Sequence, residues 1–144
     1  MMIAGGSILE PVTVVTAFLR YAGRILLVQR SGRVGTYQGR WSAISGYLED
    51  ATPLAQACRE IREETGLPDE EVHLVAKGEP INIPAPELSR LWEVHPFLFE
   101  IDDPEHVRLD WENVEFRWVA PDEMKDYLTV PKLEEALQAC LKIS

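Results

Sequence analysis

Three glutamates in one short segment have the residue type and spacing to hold a divalent cation: Glu60, Glu63 and Glu64. If the segment is helical, successive residues turn by about 100°, so the three carboxylates share one face. Mg²⁺ and Mn²⁺ prefer oxygen ligands and often bridge carboxylates to substrate phosphates, which would offset the repulsion between the like charges. The alternative interpretation is a solvated face, on which Arg59 pairs with Glu63 at i,i+4.

The sequence predicts the helix that would carry these glutamates. Thr52 is a favourable N-cap, and Pro53 suits the first helical position. Gly66 is typical of a C-terminal stop. Apolar residues recur at helical spacing and comprise Leu54, Ala57, Cys58 and Ile61. We therefore expect an amphipathic helix between Thr52 and Gly66, with the glutamates well away from its apolar stripe.

The segment from Arg59 to Leu67, REIREETGL, resembles the second half of the Nudix box at every fixed position. Those positions are arginine, glutamate, an aliphatic residue, any residue, two glutamates, any residue, glycine and an aliphatic residue. Gly46 resembles the glycine that opens the box, and the resemblance extends more loosely over most of the chain. The chain is therefore similar to the Nudix (MutT-like) hydrolases.

This resemblance implies a Mg²⁺ site, with Mn²⁺ as an alternative ion. Its ligands would be Glu60, Glu63 and Glu64, together with the carbonyl of the Ser45–Gly46 peptide. Arg59 would orient a glutamate through an ion pair rather than touch the substrate. The implied reaction is hydrolysis of a pyrophosphate bond in a nucleoside diphosphate linked to another group, X. Bound Mg²⁺ would screen the anionic oxygens and acidify a water.

One departure from the box concerns an early glutamate, which the family usually carries between the opening glycine and the arginine. Counted back from Arg59, that position is Ala51, and the loop after Gly46 is one residue short. Either Glu49 or Asp50 takes over the role, or the carboxylate is absent and one metal site is weakened. The number of metal ions therefore stays open, whereas the three later glutamates are intact.

The general base has several candidates. Nudix enzymes often carry one further glutamate in the loop before a late strand, as an extra metal ligand or as the base. Glu112 matches that position best, Glu115 is second and Asp110 is third. Glu63 is a further candidate, because a base must reach the attacking water within hydrogen-bond distance. The alternative for each loop residue is plain solvation.

Substrate contacts are predicted in the glycine-containing loop from residue 31 to residue 40. Arg30, Arg33 and Arg40 bring guanidinium groups into an otherwise acidic chain, and arginine favours bidentate phosphate contacts. The alternative for each arginine is ordinary solvation. Trp92, in a later strand, is either a stacking platform for a base or a packed core aromatic.

Strand-forming segments surround the predicted helix. Runs rich in β-branched and apolar residues predict strands over residues 12–19, 25–29, 41–45, 71–77, 91–101 and 115–119. Pro96 places the fifth of these at a sheet edge or a bulge, and the proline-rich stretch 78–86 is expected to be a connection. Residues 1–10 are expected to form a loose lead-in. A short helix is predicted over residues 121–127, and a final amphipathic helix begins at Pro131.

This order of elements, together with the resemblance, implies an α/β protein with the Nudix fold. We expect an α/β/α sandwich with a mixed sheet between helices, in which the final helix packs opposite the glutamate helix. The length of 144 residues and the apolar content of 46% fit a single Nudix hydrolase domain over residues 1–144. Cys58 and Cys140 match no zinc or redox spacing and are expected to be buried free thiols.

The formal net charge of −10 argues against nucleic-acid and membrane-surface partners, which both favour basic patches. No signal peptide is visible, and no apolar run approaches the roughly 20 residues needed to cross a bilayer. Free thiols and this lack of targeting signals predict a cytoplasmic protein. The expected partner is a small-molecule nucleotide or phosphate substrate. Since Nudix proteins often dimerise, the resemblance leaves a homodimer open.

Two other functions compete with hydrolysis. The first is a catalytically weak nucleotide- or phosphate-binding module on a Nudix scaffold, which Ala51 favours and the intact later glutamates oppose. The second is a purely structural glutamate-rich helix without a metal. Within the hydrolase interpretation the sequence leaves X open, because dinucleoside polyphosphates, nucleotide sugars, ADP-ribose and nucleoside triphosphates all fit the same metal helix.

Overall fold

The computed structural model describes residues 8–144, in which eight strands form one sheet between two α-helices. The strands are β1 Glu10–Tyr21, β2 Arg24–Arg30, β3 Trp41–Ser42, β4 Ile44–Tyr47, β5 Val72–Lys77, β6 Ile81–Ala85, β7 Arg90–Ile101 and β8 Asn113–Val119. The helices are α1 Pro53–Thr65 and α2 Leu133–Leu141. Within this part of the chain, neither helix is long and apolar enough to cross a bilayer.

The two long strands, β1 and β7, form the centre of the mixed sheet. They run parallel from the pair Glu10–Arg90 to the pair Arg20–Glu100. The other edge of β1 is shared, since β4 pairs with residues 14–17 and β2 pairs with residues 20–21, both antiparallel. The same division occurs on β7, whose second edge pairs with β5 and β6. Strand β4, which carries Gly46, is thereby held against the centre of the sheet.

Alternating residues of β1 face two helices on opposite sides of the sheet. Ala17 packs in a buried apolar cluster with Ile61 of α1. Its neighbour Phe18 packs in a second cluster with Leu137 of α2. Because successive side chains of a strand point to opposite faces, the two helices cover opposite faces. The predicted α/β/α sandwich is confirmed, including the position of the final helix.

Helix α1 begins and ends where the sequence predicts. The Thr52 hydroxyl accepts a hydrogen bond from the backbone N–H of Ala55 at 3.1 Å, and Pro53 is the first helical residue. Gly66 has φ +74°, and its N–H donates to the carbonyl of Arg62 at 2.9 Å. Glycine suits that position because a side chain would be strained at positive φ.

The apolar stripe of α1 is only partly as predicted. Ala57 and Ile61 are buried, but Leu54 is exposed and Cys58 is half-buried. The buried arc comprises Gln56, Ala57, Glu60, Ile61, Glu64 and Thr65. On a helical wheel Glu64 falls roughly 20° from Ala57, whereas Cys58 falls about 100° away on the other side. Glu60 and Glu64 therefore face the sheet, whereas Glu63 does not belong to the buried arc.

Three other segments differ from the sequence prediction. Strand β1 begins at Glu10, so the predicted lead-in over residues 1–10 is wrong at its last residue. Residues 1–7 of that lead-in lie outside the described residues. The predicted strand over residues 41–45 is divided at Ala43 into β3 and β4. The predicted connection 78–86 contains β6, which pairs with β7 as an edge strand. An edge strand accommodates Pro84 because its outer side needs no N–H donor.

Pro96 lies inside the central strand β7, so the predicted edge position is wrong. On one side of β7, β6 pairs up to Val94 and β5 pairs from Phe97 onward, which leaves Pro96 in the gap between them. The carbonyl of Pro96 accepts the N–H of Gly78 at 2.9 Å from that gap. An extended residue directs its nitrogen and carbonyl to the same side, so the missing N–H costs no ladder hydrogen bond.

Candidate active site

A cleft of about 400 Å³ lies where α1, β4 and the loops before β3 and β8 meet. Acidic side chains line one part of it, namely Glu49, Glu60, Glu63 and Glu112. Ser45 and Gly46 line the same cleft, so the structure brings the predicted metal-binding peptide together with Glu60 and Glu63, whereas Glu64 is not among the residues that line it. Apolar residues line the remainder, including Val94, Leu133 and Ala136.

The three glutamates of α1 do not share a solvated face. Glu60 and Glu64 are buried, with 7% and 2% of their surfaces exposed. The Glu63 side chain is 60% exposed and lies 3.9 Å from Arg59. The reason is geometric, because residues four apart stand above each other on a helix and both face the sheet when α1 packs. Glu63, at i+3, points toward the mouth of the cleft.

The Glu60 carboxylate is held closely against Gly46. A Cβ atom built on Gly46 would lie 2.3 Å from Glu60 Cδ, which is far inside van der Waals contact. Glycine leaves room for this close approach of β4 to the carboxylate, and a larger residue would force the Glu60 side chain to move. On the opposite side, the Gln56 amide donates to Glu60 Oε1 at 2.9 Å.

We expect Gly46→Ala to raise the dissociation constant for Mg²⁺ about tenfold, because the new methyl group displaces the Glu60 carboxylate. The measurement is the Mg²⁺-induced rise in melting temperature, which follows ligand affinity for the native state. Gly32→Ala is the matched control, since its Cβ meets nothing within 4 Å. An equal rise in melting temperature in both variants would refute this role of Gly46.

Glu64 is the most deeply buried carboxylate of the site. Asn113 Nδ2 donates to its Oε1 at 3.0 Å. Among the described residues 8–144, Glu64 Oε2 is the buried side-chain oxygen without a hydrogen-bond partner. Glu60 stands one helical turn before Glu64, and its negative charge contributes to the raised pKa of Glu64. Two adjoining carboxylates, one with an unpaired buried oxygen, require a proton or a cation between them.

The electrostatic environment favours protonation of these groups when no cation is present. Burial raises the pKa of Glu64 well above its ordinary value, and the charge of Glu112 raises it further. Burial is also the main cause of the raised pKa of Glu60. The pKa of Glu112 is raised to about 6, chiefly by burial and then by the charges of Asp110 and Glu60. A divalent cation would reverse this field and ionise all three carboxylates.

The carboxylate oxygens of the site are the kind of ligand that such a cation prefers, although they do not enclose it on all sides. Within residues 8–144, no three His, Cys, Asp or Glu side chains converge closely enough to enclose a metal ion. The cause is the outward position of Glu63, which turns toward Arg59 instead of joining the other two. Mg²⁺ needs only one or two carboxylates, because it commonly keeps several waters and takes the rest of its ligands from substrate phosphates.

Arg59 contacts acidic side chains rather than the cleft. Its Nε lies 3.5 Å from Asp50 and 3.9 Å from Glu63. The Asp50 carboxylate is thus paired with Arg59, whereas Glu49 lines the cleft near Glu60. Of the two substitutes for the missing early glutamate, Glu49 is therefore placed to face a bound ligand.

The three arginines offered for phosphate binding have different positions. Arg33 lines the cleft, with its guanidinium 5.6 Å from the centre of the Trp111 ring. Arg30 also lines the cleft, and its Nε donates to the carbonyl of Thr36 at 2.9 Å. Arg40 is not among the residues that line the cleft, and it donates to the carbonyl of Thr129 at 3.2 Å.

Trp92 is a packed aromatic that also forms part of the cleft wall. Only 7% of its surface is exposed, and its indole N–H donates to the hydroxyl of Tyr37 at 3.0 Å. The Arg90 guanidinium covers the ring at 5.2 Å from its centre, and Tyr47 packs beside it. These contacts favour the predicted core role of Trp92 over stacking on a base.

The loop before β8 separates the candidates for a general base. Glu112 lines the cleft together with Glu60 and Glu63. The carboxylate of Asp110 accepts the backbone N–H of Glu112 at 3.0 Å, which shapes the loop. Glu115, on β8, is paired with Arg117 and does not line the cleft.

Two residues of the site were not identified from the sequence, Gln56 and Asn113. Both are buried polar side chains that hydrogen-bond a glutamate of α1. Gln56 could have been found, because it precedes Glu60 by four residues and must lie beside it on a helix. Asn113 is 49 residues from Glu64 in the chain, and no local pattern connects them.

Comparisons with known proteins give matches over most of the chain. A family model described as the NUDIX domain matches residues 10–140. Among solved structures, a Nudix hydrolase from Nitrosomonas europaea is 22% identical, with a TM-score of 0.71, covering 94% of this chain and 96% of its own. A MutT protein from Methanosarcina mazei Go1 is 21% identical, with a TM-score of 0.71, covering 90% and 92%.

A C. elegans Ap4A hydrolase, solved as a binary complex, is 19% identical with a TM-score of 0.70, covering 89% of this chain and 93% of its own. At these identities, the three structures are similar to this chain in fold alone. No curated protein matches the chain. The similarity therefore concerns the whole of the fold and leaves the substrate open.

Proposed function

This chain belongs to the Nudix family, and from that premise we propose that it is a divalent-metal-dependent hydrolase of nucleoside diphosphates linked to another group, X. The bond cleaved is a pyrophosphate bond, and Mg²⁺ is the expected ion, with Mn²⁺ as a substitute. The observation that carries the proposal is the burial of both Glu60 and Glu64 on α1, with Glu64 Oε2 lacking a hydrogen-bond partner among residues 8–144. Such a pair is unfavourable without a cation or a proton.

In this proposal, Glu60 and Glu64 hold the cation, the carbonyl of Ser45 borders it, and Glu63 joins from the mouth of the cleft. When bound, the cation supplies positive charge to the phosphate oxygens and acidifies water. Asn113 and Gly46 fix the positions of the two carboxylates. The ion pairs of Arg59 restrain the outward Glu63 without touching the substrate.

Glu112 is the proposed general base, because it lines the same cleft and has a pKa of about 6. A base of that strength is largely ionised at neutral pH and can accept a proton from the attacking water. Arg33 provides positive charge in the same cleft for the anionic substrate. Apolar residues, including Leu133 and Val94, also line the cleft.

The competing proposal is a binding module with weak catalysis. It is favoured by the absence of a closed three-carboxylate cluster among residues 8–144 and by Ala51, which is exposed and carries no carboxylate. The hydrolase proposal is favoured because Glu60 and the base candidate Glu112 line one cleft, and the buried Glu64 lies one helical turn after Glu60. In either case we propose one domain over residues 1–144 that binds a small nucleotide in the cytoplasm, not nucleic acid.

The test is a screen of the purified protein for phosphate-containing products, with and without Mg²⁺ or Mn²⁺. The panel includes dinucleoside polyphosphates, nucleotide sugars, ADP-ribose and nucleoside triphosphates, and Glu64→Gln is assayed in parallel. Metal-dependent turnover that the variant loses would support the hydrolase and identify X. A folded, metal-binding protein without turnover on any compound would support the binding module instead.

We expect Arg33→Ala to raise KM for the best substrate about tenfold with little change in kcat, because a charge-assisted phosphate contact is lost. Steady-state kinetics at saturating Mg²⁺ measures both constants. Arg40→Ala is the control, since Arg40 bonds the Thr129 carbonyl outside the cleft. Equal KM values in the two variants would remove Arg33 from substrate binding.

A further inference from the structure

Gln56 is a buried polar residue in the first half of α1, with no measurable exposed surface. A buried amide must satisfy its hydrogen bonds, because each unmet donor or acceptor costs free energy. Its position four residues before Glu60 places it directly beside that carboxylate on the helix. Gln56 is thus surrounded by the loop after β4 on one side and by Glu60 on the other.

The hydrogen bonds of Gln56 join these two neighbours. Its Oε1 accepts the backbone N–H groups of Glu49 and Asp50 at 2.7 and 2.8 Å. Its Nε2 donates to Glu60 Oε1 at 2.9 Å. The orientation of the amide is fixed, because a flipped group would oppose two donors with its NH₂ and a carboxylate with its oxygen.

The Glu60 carboxylate is consequently restrained from two sides. Gly46 limits its movement on the β4 side, where a Cβ atom would lie 2.3 Å from Glu60 Cδ. Gln56 holds one of its oxygens by a direct hydrogen bond on the helix side. Hydrogen bonds of this kind orient carboxylate ligands and determine which oxygen stays free for a cation.

We propose that Gln56 is a positioning residue that orients Glu60 for the cation and ties the short loop of Glu49 and Asp50 to α1. The inference rests on the hydrolase proposed above. Next to the two bonded amides, Ala51 has only a methyl group and cannot brace the loop by itself. One neutral side chain therefore performs two tasks, holding the loop and aligning the ligand, without adding a negative charge beside Glu60.

The experiment measures Mn²⁺ binding to the full chain without substrate, by electron paramagnetic resonance of the free ion. Gln56→Met keeps the size of the side chain but removes all three hydrogen bonds. We expect its dissociation constant for Mn²⁺ to rise tenfold or more, as for other residues that orient metal ligands. Gln56→Ala, which has the best helix propensity, serves as a second variant with the same expected result if Gln56→Met folds poorly.

Thr65→Val is the matched control for general destabilisation of α1. Thr65 is also fully buried, and its hydroxyl donates to the Ile61 carbonyl and accepts the Leu67 N–H, away from Glu60. We expect this variant to melt at a lower temperature and to bind Mn²⁺ within twofold of the wild type. At saturating Mn²⁺, kcat should fall in the Gln56 variants while KM stays near the wild-type value.

The outcomes separate the two proposals. If the wild type binds Mn²⁺ and the folded Gln56→Met and Gln56→Ala variants bind it with the same dissociation constant, the proposed role of Gln56 is overturned. The hydrolase proposal is not affected by that result. Weaker binding in Thr65→Val to the same extent would also overturn the role of Gln56, because loss of helix stability would then explain the effect. A wild-type protein that binds no Mn²⁺ would overturn both this inference and the hydrolase.

Discussion

Replacing Glu64 with glutamine should abolish metal-dependent hydrolysis and, at the same time, stabilise the metal-free protein. We expect kcat/KM to fall at least about a hundredfold, because a metal ligand contributes several kcal/mol to stabilisation of the transition state. The glutamine can still accept from Asn113 through its Oε1, so the bond to β8 is kept. Its new NH₂ group takes the place of the unpaired Oε2 and carries no negative charge in the buried site.

The stabilisation follows from the direction of the pKa shift. Burial raises the pKa of Glu64 in the folded protein far above the ordinary carboxyl value of 4.5. The unfolded chain therefore releases this proton at lower pH than the folded protein, and folding becomes less favourable as pH rises above about 4.5. Glutamine does not titrate, so the free energy of unfolding of the variant exceeds that of the metal-free wild type at pH 7. This difference disappears below the ordinary carboxyl pKa.

Thermal unfolding at pH 7 and at pH 4, with and without Mg²⁺, measures this effect. In chelator at pH 7 we expect Glu64→Gln to melt roughly 3 °C above the wild type, as for about 1 kcal/mol in a domain of this size. Mg²⁺ should raise the wild-type melting temperature and leave the variant unchanged. Glu134→Gln, exposed on α2, is the control. A variant that keeps turnover would remove Glu64 from the metal site.

The position of Glu64 also shows what the sequence could and could not provide. The caps fix α1, since Thr52 and Gly66 act through bonds that local chemistry determines. The predicted separation of the carboxylates from the apolar stripe is wrong at Glu64, which helical spacing itself already places roughly 20° from Ala57. Helical spacing alone does not reveal which arc packs against the sheet. That depends on β4 and β1, whose pairing joins distant parts of the chain.

The same limit explains the proline errors and the missed asparagine. Pro96 predicts an edge or a bulge from local sequence, yet it lies inside β7 in the gap between two successive partner strands. Asn113 supports Glu64 only because β8 pairs with β2 and brings the loop of Glu112 beside α1. Local patterns thus predict the elements and the helix that carries the glutamates, while the surroundings of each carboxylate come from tertiary contacts.

Glu112→Gln is expected to reduce kcat by about 10² to 10⁴, the range that general bases usually contribute. Burial and neighbouring charges raise the pKa of Glu112 to about 6 in the protein without metal. Because the base must be ionised, wild-type activity should fall as pH drops through that value. A bound cation stabilises the carboxylate, so the acidic limb of the pH profile should lie at or below about pH 6.

Glu115→Gln provides the comparison, because Glu115 belongs to the same segment but is exposed and paired with Arg117. Its kcat should stay near the wild-type value, with the same acidic limb. In Glu112→Gln the residual activity should lose that limb, since the titrating base is gone. If Glu112→Gln keeps the wild-type kcat and Glu63→Gln loses most of it, the general base is instead Glu63 on α1. That result would leave Glu112 as a residue that only adds negative charge to the cleft.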